Sequence, residues 1–585
     1  MSQKIARWGW TVLALLLAAV QIPVLVKSAG DPTQSDFANY FTPAFVLARG
    51  GDLGALYGRD GFAKAMTEAG LTGLGSFVPH PPANALWLLP LAGLPPGAAK
   101  SVWTIVLICS ILGAVWAVNR LAPGVRPSLA TVLVLGPTLA VRNGLAFGQP
   151  YLILTSLLLV GVLALQHGSL ALAGFLLGFG ASFKPYALAI GVLFVHRDRR
   201  RLLAGFACGA LGPSSALWML TGAQPFIEFA SKVLPWMARG DIQDPFSPGW
   251  GSLLALVNRF LRCEPDLNPQ PWVHAPIAAR FVGAAISAAL LILGLVAARK
   301  ALDAGKATVA VAIGVAFSLC ASPYVASYHL VLLVLPVLAV AHRLRAASLG
   351  IWLIFWALLG SPLVNMFRSV PGILAPLAFI RLFGLLAVAF VIAWPFLDRL
   401  MLRRAVGLGA IAGVLALPWG RSEEAWERVS RARGYSMANP HFCGAHLRWW
   451  APSADGHGLE SRGEGFECGT AAASIRGDER VTSRFTHGSW NLYLDNVEAG
   501  GASTRLTFSD ANEIDPTFSP DGCSLFFASD QGRGLGSTAL YRLDIATVSS
   551  GCGKVGLASA RRRSEQEELP PRPRDADSLQ PPGRR

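Results

Sequence analysis

The chain has 585 residues, a formal net charge of +15 and only 15% charged residues, with a mean hydropathy of +0.46. Soluble domains carry about 25% charge, so a wholly soluble protein is excluded, and apolar runs of spanning length recur between Met1 and Trp419. The basic excess lies in short loops between those runs, as the positive-inside bias requires, and in the last residues; no basic face is interleaved with stacking aromatics, which speaks against nucleic-acid binding.

Lys4 and Arg7 precede an apolar run from Trp8 to Val26. No small-residue cleavage site follows and further runs do, so it reads as an uncleaved span with a cytoplasmic N-terminus. Lys27 to Pro82 is too polar to span; it holds Ser35-Asp36-Phe37-Ala38-Asn39-Tyr40-Phe41, Tyr57 and Val78-Pro79-His80-Pro81-Pro82. Ala83 to Leu94 is apolar but short of a span and reads as re-entrant or interfacial. Further spans are expected near 98–118, 127–141, 150–166, 168–182, 185–195, 202–219, 279–298, 306–321, 325–341, 348–366, 375–396 and 403–419, about thirteen crossings in all.

The charges agree with that order. Arg120 and Arg126, Arg197 to Arg201, Arg299, Lys300 and Lys306, Arg343 and Arg345, and Arg399, Arg403 and Arg404 fall on the cytoplasmic side, against Arg142, Lys184, Arg368 and Arg381 on the other. An odd number of crossings puts the C-terminal region outside. The expected fold class is mainly α: a polytopic membrane bundle over 1–420, an irregular linker over 421–484, a small extracytoplasmic all-β segment over 485–548, and a disordered basic, Pro-rich tail over 549–585.

On this topology Asp36, His80, Arg142, Asn143, Gln149, Lys184, Tyr324 and His329 all sit at outer ends of spans. Each has an ordinary use. Asp36 suits a helix N-cap, Arg142 and Lys184 can snorkel to headgroups, His329 suits a hydrogen-bonded core position, and Asn143 and Gln149 can join helices. Their convergence at one level is what polar groups at apolar helix ends require when they meet a ligand: two cations, imidazole, amides and a carboxylate suit an anionic lipid phosphate and a hydroxyl nucleophile. Lys184, with Pro185 opening the next run, is placed to meet a phosphate as a point charge. The eight cysteines show no metal-ligand spacing. Cys109, Cys208 and Cys320 read as small hydrophobes; Cys263 lies in a loop; Cys443, Cys468, Cys523 and Cys552 could form disulfides, their pairing left open.

The order Asp36 with Tyr40, Pro81-Pro82 before Leu89-Pro90-Leu91, Gly148-Gln149, Gly174 through Lys184-Pro185, then Ser322-Pro323 with His329 resembles glycosyltransferase family 87, the DUF2029 membrane proteins, which have the GT-C fold and resemble mycobacterial mannosyltransferases. The resemblance runs over about Met1 to Trp419. It implies a hexosyltransferase without a cofactor, taking mannose or another hexose from a polyprenyl-phosphate donor to an envelope glycolipid or glycan, at the outer face of the plasma membrane and with inversion. By position, Asp36 would be the general base, Lys184, His329 and Arg142 would hold the donor phosphate, and Tyr40, Gln149 and His80 would bind substrate. No nucleotide leaves in such a reaction, in keeping with the lack of an Asp-X-Asp motif in the relevant loops. Two departures bear on acceptor recognition: Pro150 follows Gly148-Gln149 where a small amide is expected, and Ser247-Pro248-Gly249-Trp250-Gly251-Ser252 lacks Asn-Gln-Ser.

After Trp419 the composition turns polar and strand-like. Trp490-Asn491-Leu492-Tyr493, Asp515-Pro516-Thr517-Phe518-Ser519-Pro520-Asp521-Gly522, Leu525-Phe526-Phe527-Ala528 and Leu540-Tyr541-Arg542-Leu543 predict hairpins with an Asp-Gly turn. They resemble the TolB-type propeller repeat, enough for one to two blades, so this piece is not expected to close alone: either it pairs with a protein partner, or the chain is a truncated or fused version of something longer. Asp510, Glu513 and Asp515 read as solvated turn charges before a cation site. Two rival functions stand beside the transferase: a flippase for lipid-linked sugars, which calls for polar residues at the midplane and paired repeats, and a membrane-anchored binding protein whose β segment is the active part.

Overall fold

The structure is a computed structural model and describes residues 3–417 except 34, 73–74, 124, 185–194, 240–241, 243, 265–266 and 366–371, then 427–428, 438–443, 446–452, 459–463, 475–476, 478–486, 489–496, 503–509, 511–534 and 537–546. The expected span 185–195, except for Val195, and Arg368, Cys468, Asp510, Cys552 and the tail 549–585 lie outside the described residues.

In chain order the helices are α1 Gln3–Ser28, α2 Ser35–Ala48, α3 Arg59–Glu68, α4 Pro96–Leu121, α5 Pro127–Leu135, α6 Thr138–Phe147, α7 Tyr151–Gln166, α8 Leu170–Phe183 and α9 Arg199–Thr221. They continue as α10 Gln224–Glu228, α11 Leu234–Arg239, α12 Leu253–Leu261, α13 Pro276–Asp303, α14 Ala307–Ala321, α15 Val334–Ala341, α16 Ala346–Leu359, α17 Ile380–Ala393 and α18 Arg399–Leu415. Ala83–Leu94 does not form a helix of spanning length: it holds the 3-10 turns Pro82–Leu86 and Leu89–Leu91.

Five stretches are long and apolar enough to cross a membrane: Trp8–Ser28, Pro96–Leu121, Arg199–Thr221, Pro276–Asp303 and Leu374–Phe396. The chain is a multi-pass membrane protein. The expected count of about thirteen crossings is not confirmed among the described residues, for physical reasons. The run 127–141 breaks at Gly136-Pro137 into α5 and α6, bent by 69°, because proline removes a helix hydrogen bond and crowds the preceding turn. The apolar helices α7 and α8 have 16 and 14 residues, so they rise only about 24 Å or less against an apolar core of about 30 Å. Arg399, Arg403 and Arg404 charge the first turns of α18.

Glycine sets the closest helix pair. Gly174 and Gly178 of α8 face Gly205 and Gly209 of α9. A Cβ at these positions would lie 2.0 Å from Leu202 O, 2.3 Å from Phe206 O, 2.0 Å from Ala171 O and 2.2 Å from Phe175 O respectively. No side chain larger than hydrogen fits, so the two backbones touch, the small-residue packing that replaces the hydrophobic drive in lipid. This seam fixes the C-terminal end of α8, where Lys184 emerges. The outward faces carry Leu112, Leu172, Leu211, Ile351, Val406 and Ile411, all exposed, as a lipid-facing surface requires. At the other end of the bundle Lys300 pairs with Asp398 at 2.7 Å, and Arg299 reaches Asp303 at 3.1 Å and Val195 O at 2.9 Å.

The C-terminal region forms three antiparallel sheets, in the orders β2-β3-β4, β5-β6-β7-β8 and β1-β11-β10-β9. Their strands are β1 Glu427–Arg428, β2 Ala438–Cys443, β3 His446–Pro452, β4 Leu459–Gly463, β5 Ile475–Arg476, β6 Glu479–Thr486, β7 Ser489–Asn496, β8 Ser503–Arg505, β9 Glu513–Phe518, β10 Ser524–Ser529 and β11 Ala539–Asp544. The stretch 421–484, expected to be irregular, therefore holds β1 to β5 and the start of β6. No closed propeller forms among the described residues. The β9–β10 hairpin turns at Asp521-Gly522 as expected: Gly522 has φ +73° and its N–H donates to Ser519 O at 2.9 Å. Val481, Leu492 and Leu494 of β6 and β7 pack with Phe518, Leu525 and Phe527 of this hairpin in one core. Glu513 is buried rather than solvated, with its carboxylate accepting from Ser509 Oγ at 2.6 Å and Thr507 Oγ1 at 3.2 Å. Among the described residues no cluster could hold a metal, and Cys523 takes part in a disulfide.

Candidate active site

Five pieces of chain meet at one end of the bundle: the start of α2, the turn at Pro82–Leu86, the end of α6, the start of α7 with the end of α8, and the 3-10 helix Ser327–Leu333. Each is held by a specific bond. Gly148 ends α6 in the left-handed region at φ +70°, a conformation glycine adopts without Cβ strain. Trp103 Nε1 donates to Gly148 O at 2.7 Å, and Lys100 Nζ donates to Leu145 O and Ala146 O at 3.3 and 2.9 Å. A buried cation on the last carbonyls of a helix complements its dipole. The result points Gln149 at α2.

There Tyr40 Oη donates to Gln149 Oε1 at 2.9 Å, and the Gln149 side chain hydrogen-bonds the Asp36 carboxylate. With its carbonyl oxygen taken by Tyr40, the amide serves Asp36 through its N–H donors. Asp36 is partly buried. Burial raises its carboxyl above the usual range, opposed by the Gln149 bond and then by Lys184 and Lys100. It is not an N-cap: it lies inside the first turn of α2, next to Ser35.

Lys184 is placed by α8 and by Asn84, whose Nδ2 donates to Phe183 O at 3.0 Å and to Pro81 O at 3.2 Å. Its Nζ lies 2.8 Å from His80 Nδ1, 6.0 Å from the Tyr40 ring centroid and 5.9 Å from that of Tyr151. Burial pulls the ammonium down to about 7, while Asp36 acts the other way. His80 is buried, with its carbonyl held by Tyr57 Oη at 2.8 Å and its ring 4.8 Å from that of Tyr40. Burial, then the Lys184 charge, holds its imidazole well below the ordinary histidine range. His329 packs edge-on beside Tyr151, with ring centroids 4.3 Å apart. Ala326 N donates to its Nδ1 at 2.9 Å.

The structure thus brings together Asp36, Tyr40, His80, Gln149, Lys184 and His329 around the Tyr40 and Tyr151 rings. Arg142 stands apart: it is exposed on α6, while its neighbour Asn143 bonds Ser327 Oγ at 2.7 Å. Sequence reading passed over Lys100, Tyr151 and Tyr328. A lysine four residues into an apolar run is a signal for the first; the tyrosines carry none that separates them from core aromatics. The constellation offers one carboxylate, one ammonium and two imidazoles, the set needed to accept a proton at one point and to stabilise an anion at another.

The sequence profile of glycosyltransferase family 87 matches residues 77–323. The matched segment takes in His80, Gln149 and Lys184 and stops short of Asp36, Tyr40 and His329 on either side. No curated protein and no solved structure matches the chain. The match and the apolar helices together support a membrane glycosyltransferase.

Proposed function

We propose that the chain transfers a hexose, mannose being the first to test, from a polyprenyl-phosphate donor to a glycolipid or glycan acceptor at the outer face of the plasma membrane. The observation that carries this reading is the grouping of Asp36, held by Gln149, with Lys184 at one end of the bundle. Asp36 takes the proton of the acceptor hydroxyl as that oxygen attacks the anomeric carbon. The bond from that carbon to the phosphate oxygen breaks, polyprenyl phosphate leaves with its electron pair, and the Lys184 ammonium stabilises its charge. His329, whose ring packs beside Tyr151, is the second candidate donor to the departing phosphate. Attack opposite the leaving group inverts the anomeric centre. The disulfide at Cys523 supports an extracytoplasmic β region, since such bonds persist in oxidising compartments.

The test is transfer of label from polyprenyl-phosphomannose to lipid or glycan in membranes, with Asp36→Ala and Asp36→Asn beside wild type. Loss in both variants, with the protein inserted and folded, supports the base. Undiminished transfer removes Asp36 from that role, and a wild type that transfers from no polyprenyl-phosphate sugar removes the reading itself.

A further inference from the structure

The Lys184 ammonium has hydrogens to give and no lone pair, so at 2.8 Å it must donate to His80 Nδ1. His80 then carries its own proton on Nε2. That nitrogen is buried and meets no hydrogen-bond partner among the described residues, and the residue as a whole is 3% exposed. An orphaned donor at such a depth is costly unless an acceptor arrives. The neutral state fits the depressed imidazole described above.

Geometry limits what that acceptor is. The two ring nitrogens point to opposite sides, so an oxygen bonded to Nε2 lies about 7 Å from Lys184 Nζ. The non-bridging oxygens of one phosphate are far closer together than that. A phosphate held by Lys184 therefore cannot also fill the Nε2 position, whereas a hydroxyl several bonds along the attached sugar can. We infer that His80 reads the transferred sugar: its Nε2–H donates to a hydroxyl oxygen of the donor hexose, with Lys184 fixing the tautomer. This rests on the transferase reading and adds a specificity contact to it.

The experiment uses the purified full chain with polyprenyl-phosphomannose, a set of its deoxy analogues, and sugar-free polyprenyl phosphate as a binding probe. His80→Asn keeps an acceptor for Lys184 and loses the distal donor; His80→Gln places an amide N–H near the Nε2 position; His80→Phe keeps only the ring. His80→Asn and His80→Phe should lose about 10- to 100-fold in kcat/KM, with His80→Gln restored to within about 10-fold of wild type. His80→Asn, which keeps the acceptor for Lys184, should bind sugar-free polyprenyl phosphate as wild type does. One deoxy donor should cost wild type the same factor and cost His80→Phe nothing further. A merely packed ring predicts the reverse order, with His80→Phe active and His80→Gln impaired, and that result overturns the inference. So does a wild type that binds polyprenyl phosphate and transfers every deoxy donor equally well. A wild type that neither binds nor transfers removes the transferase reading first and this inference with it.

Discussion

Tyr40 Oη donates to Gln149 Oε1 at 2.9 Å across a separation of 109 residues. That bond decides which end of the Gln149 amide faces Asp36. An amide turned the other way would set an oxygen against a carboxylate; held by Tyr40, it offers N–H instead. The carboxylate is thereby kept more acidic than burial alone would leave it.

The pH dependence follows from that bond. On the proposed mechanism transfer needs ionised Asp36, so it should rise with pH through a carboxyl already displaced above its usual 3.8. Gln149→Leu deletes a bond that lowers this value, so the acid limb moves to higher pH. Transfer should fall on the acid side of the profile and recover as pH rises. A pH–rate profile of kcat/KM checks it; an unshifted limb would detach Gln149 from Asp36.

On the same proposal Lys184 sets the other limb. Its ammonium is held down to about 7, so the cation that meets the phosphate is lost as pH passes that point. Lys184→Met should weaken polyprenyl-phosphate binding about 10- to 100-fold and flatten the alkaline side of the binding profile. Lys184→Arg should remove that limb, because a guanidinium stays charged, even where its different shape lowers the rate. Binding measured between pH 6 and 9 separates the two outcomes.

Gly148 carries the position of Gln149. A Cβ there would lie 2.8 Å from Lys100 Nζ and 3.3 Å from the Trp103 ring, on a backbone at φ +70°. Gly148→Ala meets both the left-handed strain and the contact, a cost of about 1–3 kcal/mol. A lower unfolding midpoint is expected, together with a fall in transfer like that of Gln149→Leu. Wild-type activity in a destabilised Gly148→Ala would show that the turn serves the fold alone.

Composition made the membrane class legible, and the polar residues at outer span ends pointed to a site because such groups are costly in lipid. Asp36, Tyr40, His80, Gln149, Lys184 and His329 do come together. Arg142 does not join them, since one residue of rotation on α6 separates a side chain facing the cluster from an exposed one, and span-end position does not encode that angle. Lys100 escaped because its partners are the last carbonyls of α6, which sequence does not display. Crossing number is less legible for a related reason: hydropathy marks apolar runs, while the break at Gly136-Pro137 and the short rise of α7 and α8 bear on what they span. In the β region the Asp521-Gly522 turn was local and legible. The pairing of β1 with β11 joins the two ends of the region, and such non-local pairing leaves no local pattern.

The β region is also tied to the membrane half by a contact no motif announced. Arg533 NH1 donates to Glu264 Oε1 at 3.0 Å, with the Arg533 side chain fully buried and that of Glu264 6% exposed. Arg533 Nε meanwhile holds Ser537 O at 2.9 Å, and Glu264 Oε2 accepts from Leu267 N at 2.6 Å. The pair therefore bridges two locally braced loops. Removing one partner leaves the other charge buried without its counterpart, so Arg533→Ala should cost about 3–5 kcal/mol of the docked state. Removing both takes away the two opposite charges together, so Glu264→Ala with Arg533→Ala should cost less than Arg533→Ala alone. Hydrogen exchange on the full chain reads this directly: amides of 262–268 and 529–534 should exchange faster in Arg533→Ala and recover in part in the double variant. Unchanged exchange in the single variant would mean that the pair forms without holding the β region in place.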